Sequence, residues 1–589
     1  MSHLNLGIIG NSTIAALIDT DAKINWLCLP KLDGEPIFDA LLGGKGGFSV
    51  WMEDRVSTEQ SYEHNTAVLR TRLTDKDGAI LDVIDFAPYF PKRGRSFRPA
   101  SFVRQLQVVN GSPRVKLEIN AQGNWGENTL VPKRGVNHIS FQTQDGGFRV
   151  TTSAPVSYIL SNTSFVLDRD VAFICGPDET VSDNVDFLAR DWRERTVDYW
   201  RRWTRNLAVP PDWQAAVIRA AITLKLCVYE ETGGVVAALT TSIPEHAGSE
   251  RNWDYRFCWI RDAYFSVTAL NRLASMETLE HYMRFLRSVV AQAKGGHIQP
   301  VYGIGLETAL TEDFAEHLPG YRGYGPVRRG NQAAEHIQHD VYGQIVLAAS
   351  QAFLDERLLS QVGIAEFEQL EPVGERAFAM HDTPDAGIWE FRTLAYVHTS
   401  SAIMCWAACD RLSKIASYLG LEKKTTYWAE RAEIIKRHIL DNAYNADMNA
   451  FTASYGGDTL DASVLLMAEI GFLPASDPRY VGTVEAIDRD LREGNHIYRY
   501  KTADDFGKPQ TAFTACTFWH IDALYRIGRE DDARAMFEAI LAQRNHLGLL
   551  SEDVDPKTDE LWGNYPQTYS MVGIINSANL MSRKWTDIV

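Results

Sequence analysis

The feature that most constrains the fold is a recurring spacing of apolar segments beyond about residue 210. Each segment follows a polar, aromatic-rich loop and has the length and periodicity of a buried helix. The segments begin near Ile260, Ile337, Thr399, Leu460, Thr511 and Gln567, and successive starts lie 51 to 77 residues apart. Each interval has room for two helices and two connections, so the spacing predicts an (α/α)6 toroid of inner and outer helices. An irregular helical bundle is the alternative, since the units share little sequence.

A different pattern precedes these segments. Up to about residue 185, short alternating or β-branched runs are separated by turn signals, which predicts an antiparallel β-sandwich. The predicted strands include residues 67–73, 102–109, 115–119, 138–142, 148–152 and 164–175. A charged amphipathic helix follows at 186–206. We therefore divide the chain into a β-sandwich domain at residues 1–185, a helical linker at 186–209 and an (α/α)6 barrel catalytic domain at 210–589.

Composition and charge exclude several classes of function. A net charge of −17 opposes nucleic acid as a partner. No apolar stretch reaches the roughly 18 residues that a membrane-spanning helix needs, and the N-terminal segment does not resemble a signal peptide, so we expect a cytoplasmic protein. The seven cysteines are scattered, which indicates reduced, buried thiols. We expect neither a metal ion nor an organic cofactor.

The loops that enter the predicted inner helices have an unusual composition. Carboxylates, arginines and tryptophans stand side by side in residues 251–262, 335–343, 387–392, 455–461, 497–500 and 550–555. In a toroid these loops converge on one face and can share a pocket. Cleavage of a glycosidic bond requires an acid, a base, hydrogen-bonding groups for hydroxyls and an aromatic platform. The composition therefore indicates a small oligosaccharide or disaccharide as the partner.

The string Arg-Asn-Trp-Asp-Tyr-Arg-Phe-Cys-Trp-Ile-Arg-Asp at 251–262 resembles the signature of glycoside hydrolase family 15, the glucoamylases and related trehalases. The resemblance covers nearly the whole chain and includes residues 15–30, Gly-Ile-Trp-Glu at 387–390 and Leu-Leu-Ser-Glu-Asp-Val-Asp-Pro at 549–556. It implies an N-terminal β-sandwich packed on an (α/α)6 barrel. It also implies an exo-acting hydrolase that inverts the anomeric carbon and releases β-glucose.

The resemblance assigns roles to individual residues. It makes Glu390 the general acid and Glu552 the general base. Because an inverting enzyme holds a water between base and sugar, we expect the two carboxyl groups to lie roughly 6.5 to 9.5 Å apart. Arg261 and Asp262 match the pair that binds the hydroxyls of the nonreducing-end glucose, although an adjacent Arg-Asp also suits a helix-entry salt bridge.

Four further residues are assigned to substrate binding by the same resemblance. Trp389 is expected to contact the terminal sugar ring, and Arg499 resembles an arginine at the next subsite. Trp253 and Asp340 are motif residues that either line the pocket or, as we favour, support it from behind.

Other positions carry weaker predictions. His336 and His339 have no evident third partner for a metal site, so we interpret them as structural histidines with satisfied hydrogen bonds. Gln344 and Gln510 stand where members of the family often have Glu, and Ala402 stands where Lys is common. These three departures leave the acid and base in place and put the substrate preference in doubt.

The favoured substrate is α,α-trehalose, closely followed by short malto- or isomalto-oligosaccharides. Two alternatives remain at this point. A glycoside phosphorylase on a similar barrel would use phosphate in place of the base, against which Glu552 argues. A noncatalytic sugar-binding or regulatory protein would not need both carboxylates.

Overall fold

The computed structural model describes residues 4–143, 146–293, 296–359 and 362–588. Its N-terminal part is built from antiparallel strands and one short helix, α1 (Val156–Leu160). The strands are β1 (Gly7–Gly10), β2 (Ala15–Ile18), β3 (Ile24–Leu29), β4 (Glu35–Phe38), β5 (Gly47–Met52), β6 (Arg55–Tyr62), β7 (Leu69–Asp75), β8 (Ile80–Phe86), β9 (Phe90–Lys92), β10 (Arg95–Phe97), β11 (Phe102–Asn110), β12 (Arg114–Asn120), β13 (Gln122–Gly123), β14 (Asn128–Thr129), β15 (Lys133–Arg134), β16 (His138–Phe141), β17 (Phe148–Thr152), β18 (Phe165–Val166) and β19 (Val171–Pro177).

Most of these strands belong to two sheets. The first has the order β1-β2-β3-β5-β12-β18, with β4 paired to β3, and the second has the order β15-β16-β17-β19-β11-β8-β7-β6. Apolar side chains alternate along strands such as β7, so one face of each sheet is buried. Phe48 of the first sheet and Phe173 of the second meet edge to face at 5.2 Å in the shared core. The predicted sandwich is confirmed.

The remaining chain is mainly helical. After α2 (Val185–Arg205), the helices are α3 (Gln214–Leu226), α4 (Ile260–Arg272), α5 (Met276–Gln292), α6 (Asp340–Leu354), α7 (Ile364–Met380), α8 (Thr399–Tyr418), α9 (Glu422–Asn442), α10 (Met467–Ile470), α11 (Pro478–Asp490), α12 (Thr514–Arg526), α13 (Glu530–Gln543) and α14 (Thr568–Met581). Short 3-10 helices cover Ala40–Leu42, Gln332–Glu335, Ala462–Leu466 and Trp585–Asp587. Two-residue strands in the loops are Val228–Tyr229, Gly234–Val235, Cys258–Trp259, Val301–Tyr302, Asp313–Phe314, Arg328–Arg329, Tyr444–Asn445, Ala450–Phe451, Arg492–Glu493, His496–Ile497, Ala512–Phe513, Asp553–Val554 and Leu561–Trp562.

The inner elements close into a ring. Helix α4 contacts α6, α6 contacts α8, and α8 and α12 both contact the 3-10 helix Ala462–Leu466, while α12 contacts α14 and α14 returns to α4. Outer helices such as α5, α7, α9 and α13 pack against these inner elements. The (α/α)6 toroid predicted from the spacing is therefore confirmed.

One inner element differs from the expectation of a full helix near Leu460. The structure has the 3-10 helix Ala462–Leu466 followed by only four residues of α10. Gly471 ends α10 in the left-handed conformation, with a φ of 86°. Glycine adopts this conformation at little cost and so terminates helices.

Among the helices of the described residues, none has both the length and the apolar character that crossing a membrane requires.

The sandwich packs directly against the barrel. One apolar core includes residues of both parts, and the indole nitrogen of Trp26 donates to the carbonyl of Leu239 at 2.9 Å. Arg256, within the 251–262 loop, donates to the carbonyl of Gly34 at 2.6 Å while both its other nitrogens bind Asp254. The N-terminal domain thus supports the loop with the most aromatic and charged residues. All seven cysteines are buried and free, as predicted.

Candidate active site

The loops that enter the inner helices surround a pocket. With its open mouth the pocket contains about 850 Å³ of empty space. Its lining comes from widely separated parts of the chain, among them Glu245, Trp253, Arg261, Trp389, Glu390 and Arg499. This convergence is the arrangement expected of a toroid, in which residues distant in sequence meet on one face.

Glu390 projects from a tight turn. Its backbone nitrogen donates to the carbonyl of Gly387 at 3.1 Å, and Glu390 itself has a φ of 62°. A non-glycine residue in this region costs about 1–2 kcal/mol, and such strain concentrates at functional sites. The turn presents the carboxyl group at the pocket wall, with 21% of the side chain exposed.

The contacts of Glu390 are concentrated on one oxygen. Oε1 accepts from the indole nitrogen of Trp259 at 2.5 Å, the amide of Gln338 at 3.2 Å and the guanidinium of Arg261 at 3.3 Å. In the described parts of the chain no donor reaches Oε2. One oxygen is therefore fixed by three donors, and the other remains available to a bound molecule.

Glu552 lies deeper than Glu390. Its side chain is fully buried and does not itself line the pocket, but the hydroxyl of Tyr255, which does, donates to Oε1 at 2.6 Å. The backbone nitrogen of Asn564 donates to Oε2 at 3.3 Å. Gly563 makes this approach possible: its φ is 73°, and a Cβ there would lie 2.7 Å from Glu552.

Two aromatic residues connect the carboxylates. Tyr255 binds Glu552 and Trp259 binds Glu390, and the two rings meet edge to face with centroids 5.4 Å apart. Both aromatics belong to the 251–262 loop. This loop therefore sets the positions of the two carboxyl groups relative to each other.

Glu552 belongs to a buried cluster of carboxylates. Carboxylate oxygens of Glu245, Glu552 and Asp553 lie within 4.8 Å of one another. Burial, and next the negative charge of Glu245, raise the pKa of Glu552 above its ordinary range. The pKa of Asp553 is also raised, by burial first and then by the negative charge of Glu245. Arg499 donates to Glu245 at 2.5 Å, so its positive guanidinium compensates part of the negative charge of the cluster.

Arg261 links several acidic groups beside Glu390. It donates to Gln338 at 3.0 Å, and its nitrogens lie 3.4 Å from Asp340 and 3.5 Å from Asp262. Oδ1 of Asp262 is buried without a hydrogen bond among the described residues and lies next to Nε of Arg261, and burial raises the pKa of Asp262 to about 7. Asp262 therefore lines the pocket with a carboxyl group that is largely buried beside Arg261.

The other predicted binding residues divide into two groups. Trp389 lines the pocket, and its indole nitrogen donates to Asp461 at 2.7 Å. Trp253 also lines the pocket, although it was expected to be a supporting residue, and it donates to Glu245 at 3.3 Å. Asp340 is buried behind the pocket wall and contacts Arg261. Arg499 lines the wall, and its guanidinium binds Glu245.

Ion pairs between different loops form the rim of the pocket. Glu312 accepts from Arg328 at 2.6 Å and from both terminal nitrogens of Arg392. Arg251 binds Asp504 on the opposite loop. Arg328 and Arg392 also lie 5.2 and 4.8 Å from the ring of Trp253. The mouth is thus cross-linked by charged groups that are themselves largely buried.

The structure also corrects the interpretation of His336 and adds residues that sequence reasoning missed. His336 is not a satisfied structural histidine: it lines the pocket, and neither ring nitrogen has a partner in the part of the chain described. Burial lowers its pKa. Tyr255 and Trp259 stood inside the motif string, but nothing marked their contacts with the carboxylates. Glu245 lay outside every motif.

The three departures from the family pattern lie away from the pocket lining. Gln344, on α6, donates to Asp340 at 2.7 Å. Ala402 is buried on α8, and the carbonyl of Gln510 accepts from the hydroxyl of Tyr498 at 3.3 Å. Any effect of Gln344 on substrate would be transmitted through Asp340 and Arg261.

Comparisons with known proteins find matches over almost the whole chain. The family model "Glycosyl hydrolases family 15" matches residues 212–579, and the model "Trehalase-like, N-terminal" matches residues 4–170. A trehalase of Thermoplasma volcanium is 30% identical over 97% of this chain and 92% of its own length, and a trehalase of Mycolicibacterium smegmatis is 31% identical over 97% and 90%. A bacterial glucoamylase solved with acarbose has a TM-score of 0.68 at 12% identity, covering 98% of this chain and 94% of that one.

Proposed function

Since the chain belongs to glycoside hydrolase family 15 and is a glycosidase, we propose that it is an inverting, exo-acting trehalase that cleaves a terminal α-glucosyl bond and releases β-glucose. The observation that carries the proposal is the pair of carboxyl groups in different environments, Glu390 at the pocket wall and Glu552 behind it. The hydrogen-bonded aromatic pair Tyr255 and Trp259 connects them.

Glu390 is proposed as the general acid. Its Oε2 has no protein donor among the described residues, so a proton carried there can pass to the glycosidic oxygen as the bond breaks. The three donors on Oε1 then stabilise the carboxylate that the transfer leaves behind. Glu552 is proposed as the general base, acting through Tyr255: the hydroxyl of Tyr255 passes its proton to Glu552 as it takes one from the attacking water beside it. A separation of roughly 6.5 to 9.5 Å between the two carboxyl groups stays a prediction.

Three pocket residues are proposed to bind the terminal glucose. The carboxyl group of Asp262, which lines the pocket, suits a hydroxyl donor, and Arg261 at 3.5 Å holds that carboxyl group in place. Trp389 offers its ring, and the bond from its indole nitrogen to Asp461 fixes the orientation of that ring. His336 adds a neutral imidazole that can both donate and accept.

The preference for trehalose is supported by two observations. The relatives that match almost end to end carry the name trehalase, in an archaeon and in an actinobacterium. Glu312, Arg328 and Arg392 also join different loops at the rim, which restrains these loops from opening for a long leaving group. Short malto- or isomalto-oligosaccharides are the next candidates.

The decisive experiment follows the anomer of glucose by NMR during hydrolysis of trehalose, maltose, isomaltose and maltotetraose. Trehalose is expected to react fastest and to give β- and α-glucose in equal amounts at first, because the attacked ring is inverted while the leaving glucose keeps its α configuration. Two equivalents of α-glucose from trehalose would refute inversion, and faster hydrolysis of maltotetraose than of trehalose would refute the preference for trehalose. A requirement for inorganic phosphate would instead favour a phosphorylase.

Two variants test the assigned roles. Glu390→Gln is expected to lower kcat on trehalose by about 10²–10⁴-fold, yet to retain activity on α-glucosyl fluoride, whose leaving group needs no proton. Glu552→Gln is expected to lose activity on both substrates. Equal losses of both variants on both substrates would contradict the assignment of acid and base.

A further inference from the structure

We propose that His381, Asp382 and His438 form a Zn²⁺ site on the outside of the barrel, separate from the pocket. One ligand atom from each residue lies within 4.8 Å of the others. Nε2 of His381 and Nδ1 of His438 are 2.8 Å apart, and their rings are tilted by 30°. Two imidazoles and one carboxylate, with a water in the fourth position, are a ligand set typical of zinc.

The protein fixes the ligating nitrogen of His381. Its Nδ1 lies 2.7 Å from the carbonyl of Phe378 and donates to it, so Nε2 carries the lone pair. A backbone carbonyl bound to the far nitrogen is the usual way in which a metal-binding histidine is oriented. His381 is buried, whereas Asp382 is exposed and His438 is partly exposed. The ion can therefore enter from solvent and bind Nε2 of His381, whose orientation is already fixed by the bond at Nδ1.

The two nitrogens need only a small displacement. Two ligands on a tetrahedral zinc with bonds of about 2.0–2.1 Å lie about 3.3 Å apart. The observed 2.8 Å is a hydrogen bond in which Nδ1–H of His438 donates to His381. When zinc binds, the proton of His438 moves from Nδ1 to Nε2 through solvent, so no net proton is released. The zinc ion then lies between the two nitrogens, where the Nδ1 hydrogen of His438 lay before.

The position in the fold favours a cation. His381 directly follows the last residue of α7, and His438 lies four residues before Asn442, the last residue of α9. The carboxyl ends of helices carry partial negative charge and attract cations. Both helices pack against α8, so the ion would join the ends of two outer helices. Eight residues lie between His381 and Glu390, and the ion would anchor the start of the segment that leads to Glu390.

The test is a Zn²⁺ titration of the metal-stripped full-length protein by calorimetry, with X-ray absorption of the bound zinc. We expect about one equivalent bound, with two imidazoles among its ligands. His438→Gln and Asp382→Asn should each weaken binding at least tenfold. The matched control His317→Gln alters an exposed histidine that lies 4.0 Å from a single carboxylate, and it should bind zinc like the wild type.

The proposal is overturned if His438→Gln and Asp382→Asn both bind zinc like the wild type, or if the wild type binds none. It is also overturned if Glu552→Gln, rather than His438→Gln, abolishes binding, because the ion would then lie in the buried carboxylate cluster. Asp382 is exposed, so its substitution leaves the fold intact even if His438→Gln does not. None of these readouts depends on the trehalase assignment.

Discussion

Neutralising Glu245 should make the enzyme active at lower pH. As the proposed base, Glu552 must be ionised, so activity is expected to rise with pH through its pKa, and a raised pKa moves this acidic limb of the profile to higher pH. After burial, the negative charge of Glu245 is the largest cause of the raised pKa of Glu552. The change Glu245→Gln removes that charge and keeps the size of the side chain.

The structure sets the scale of the effect. Two unit charges 4.8 Å apart, the outer limit for this cluster, interact by about 3.5 kcal/mol at an effective dielectric of 20, or about 2.5 pKa units. Arg499 loses its partner in the same variant, and its positive charge also lowers the pKa of Glu552. Since reorganisation reduces such energies, we expect the limb to move down by at least about one unit.

The assay is the pH dependence of kcat/KM for trehalose, because this ratio reports the free enzyme. Circular dichroism must accompany it, since a buried arginine without its partner costs about 3–5 kcal/mol. The control Glu312→Gln neutralises a carboxylate at the rim and should leave the limb in place. A limb that stays fixed in Glu245→Gln, or moves upward, would refute the reasoning.

Three further outcomes are expected. Asp262→Asn should lower kcat/KM for trehalose about ten- to hundredfold in steady-state assays, since a hydrogen bond to a charged group is worth about 1.5–3 kcal/mol; an unchanged value would remove Asp262 from the site. Glu312→Ala should release Arg392 and raise kcat/KM for maltotetraose relative to trehalose; an unchanged ratio would show that the rim does not determine the substrate preference. Arg104→Met should lower the free energy of unfolding in urea by about 3–5 kcal/mol, because its fully buried guanidinium binds Asp85 at 2.7 and 3.0 Å; a loss under 1 kcal/mol would contradict this.

The fold was largely predictable because its signals are periodic. Alternating runs gave the strands of the sandwich, and the spacing of apolar segments gave the ring of inner helices. The exception near Leu460 came from a single position: Gly471 stops α10 after one turn, and a window of apolar residues does not register that stop. Local backbone conformation, rather than hydrophobicity, decided the length of this element.

The residues of the site could be predicted only where they belong to a family motif. Tyr255 and Glu552 are 297 residues apart, and only the closed ring brings the hydroxyl within 2.6 Å of the carboxylate. Glu245 carried no local signal, since a single loop carboxylate is ordinarily solvated. His336 was misinterpreted because its lack of hydrogen-bonding partners is a property of the pocket and not of its neighbours in sequence.

In the proposed roles, each carboxylate has an environment that favours the product of its own proton transfer. As the proposed acid, Glu390 gives up a proton, and the three donors on its Oε1, one of them Arg261, stabilise the anion that results. As the proposed base, Glu552 takes up a proton that comes from water, and the negative charge of Glu245 makes it bind that proton more strongly. The same charge makes the ionised form of Glu552 harder to reach before the reaction. Glu245 therefore makes Glu552 a stronger base but narrows the pH range in which Glu552 is ionised. Arg499 limits this narrowing by pairing with Glu245.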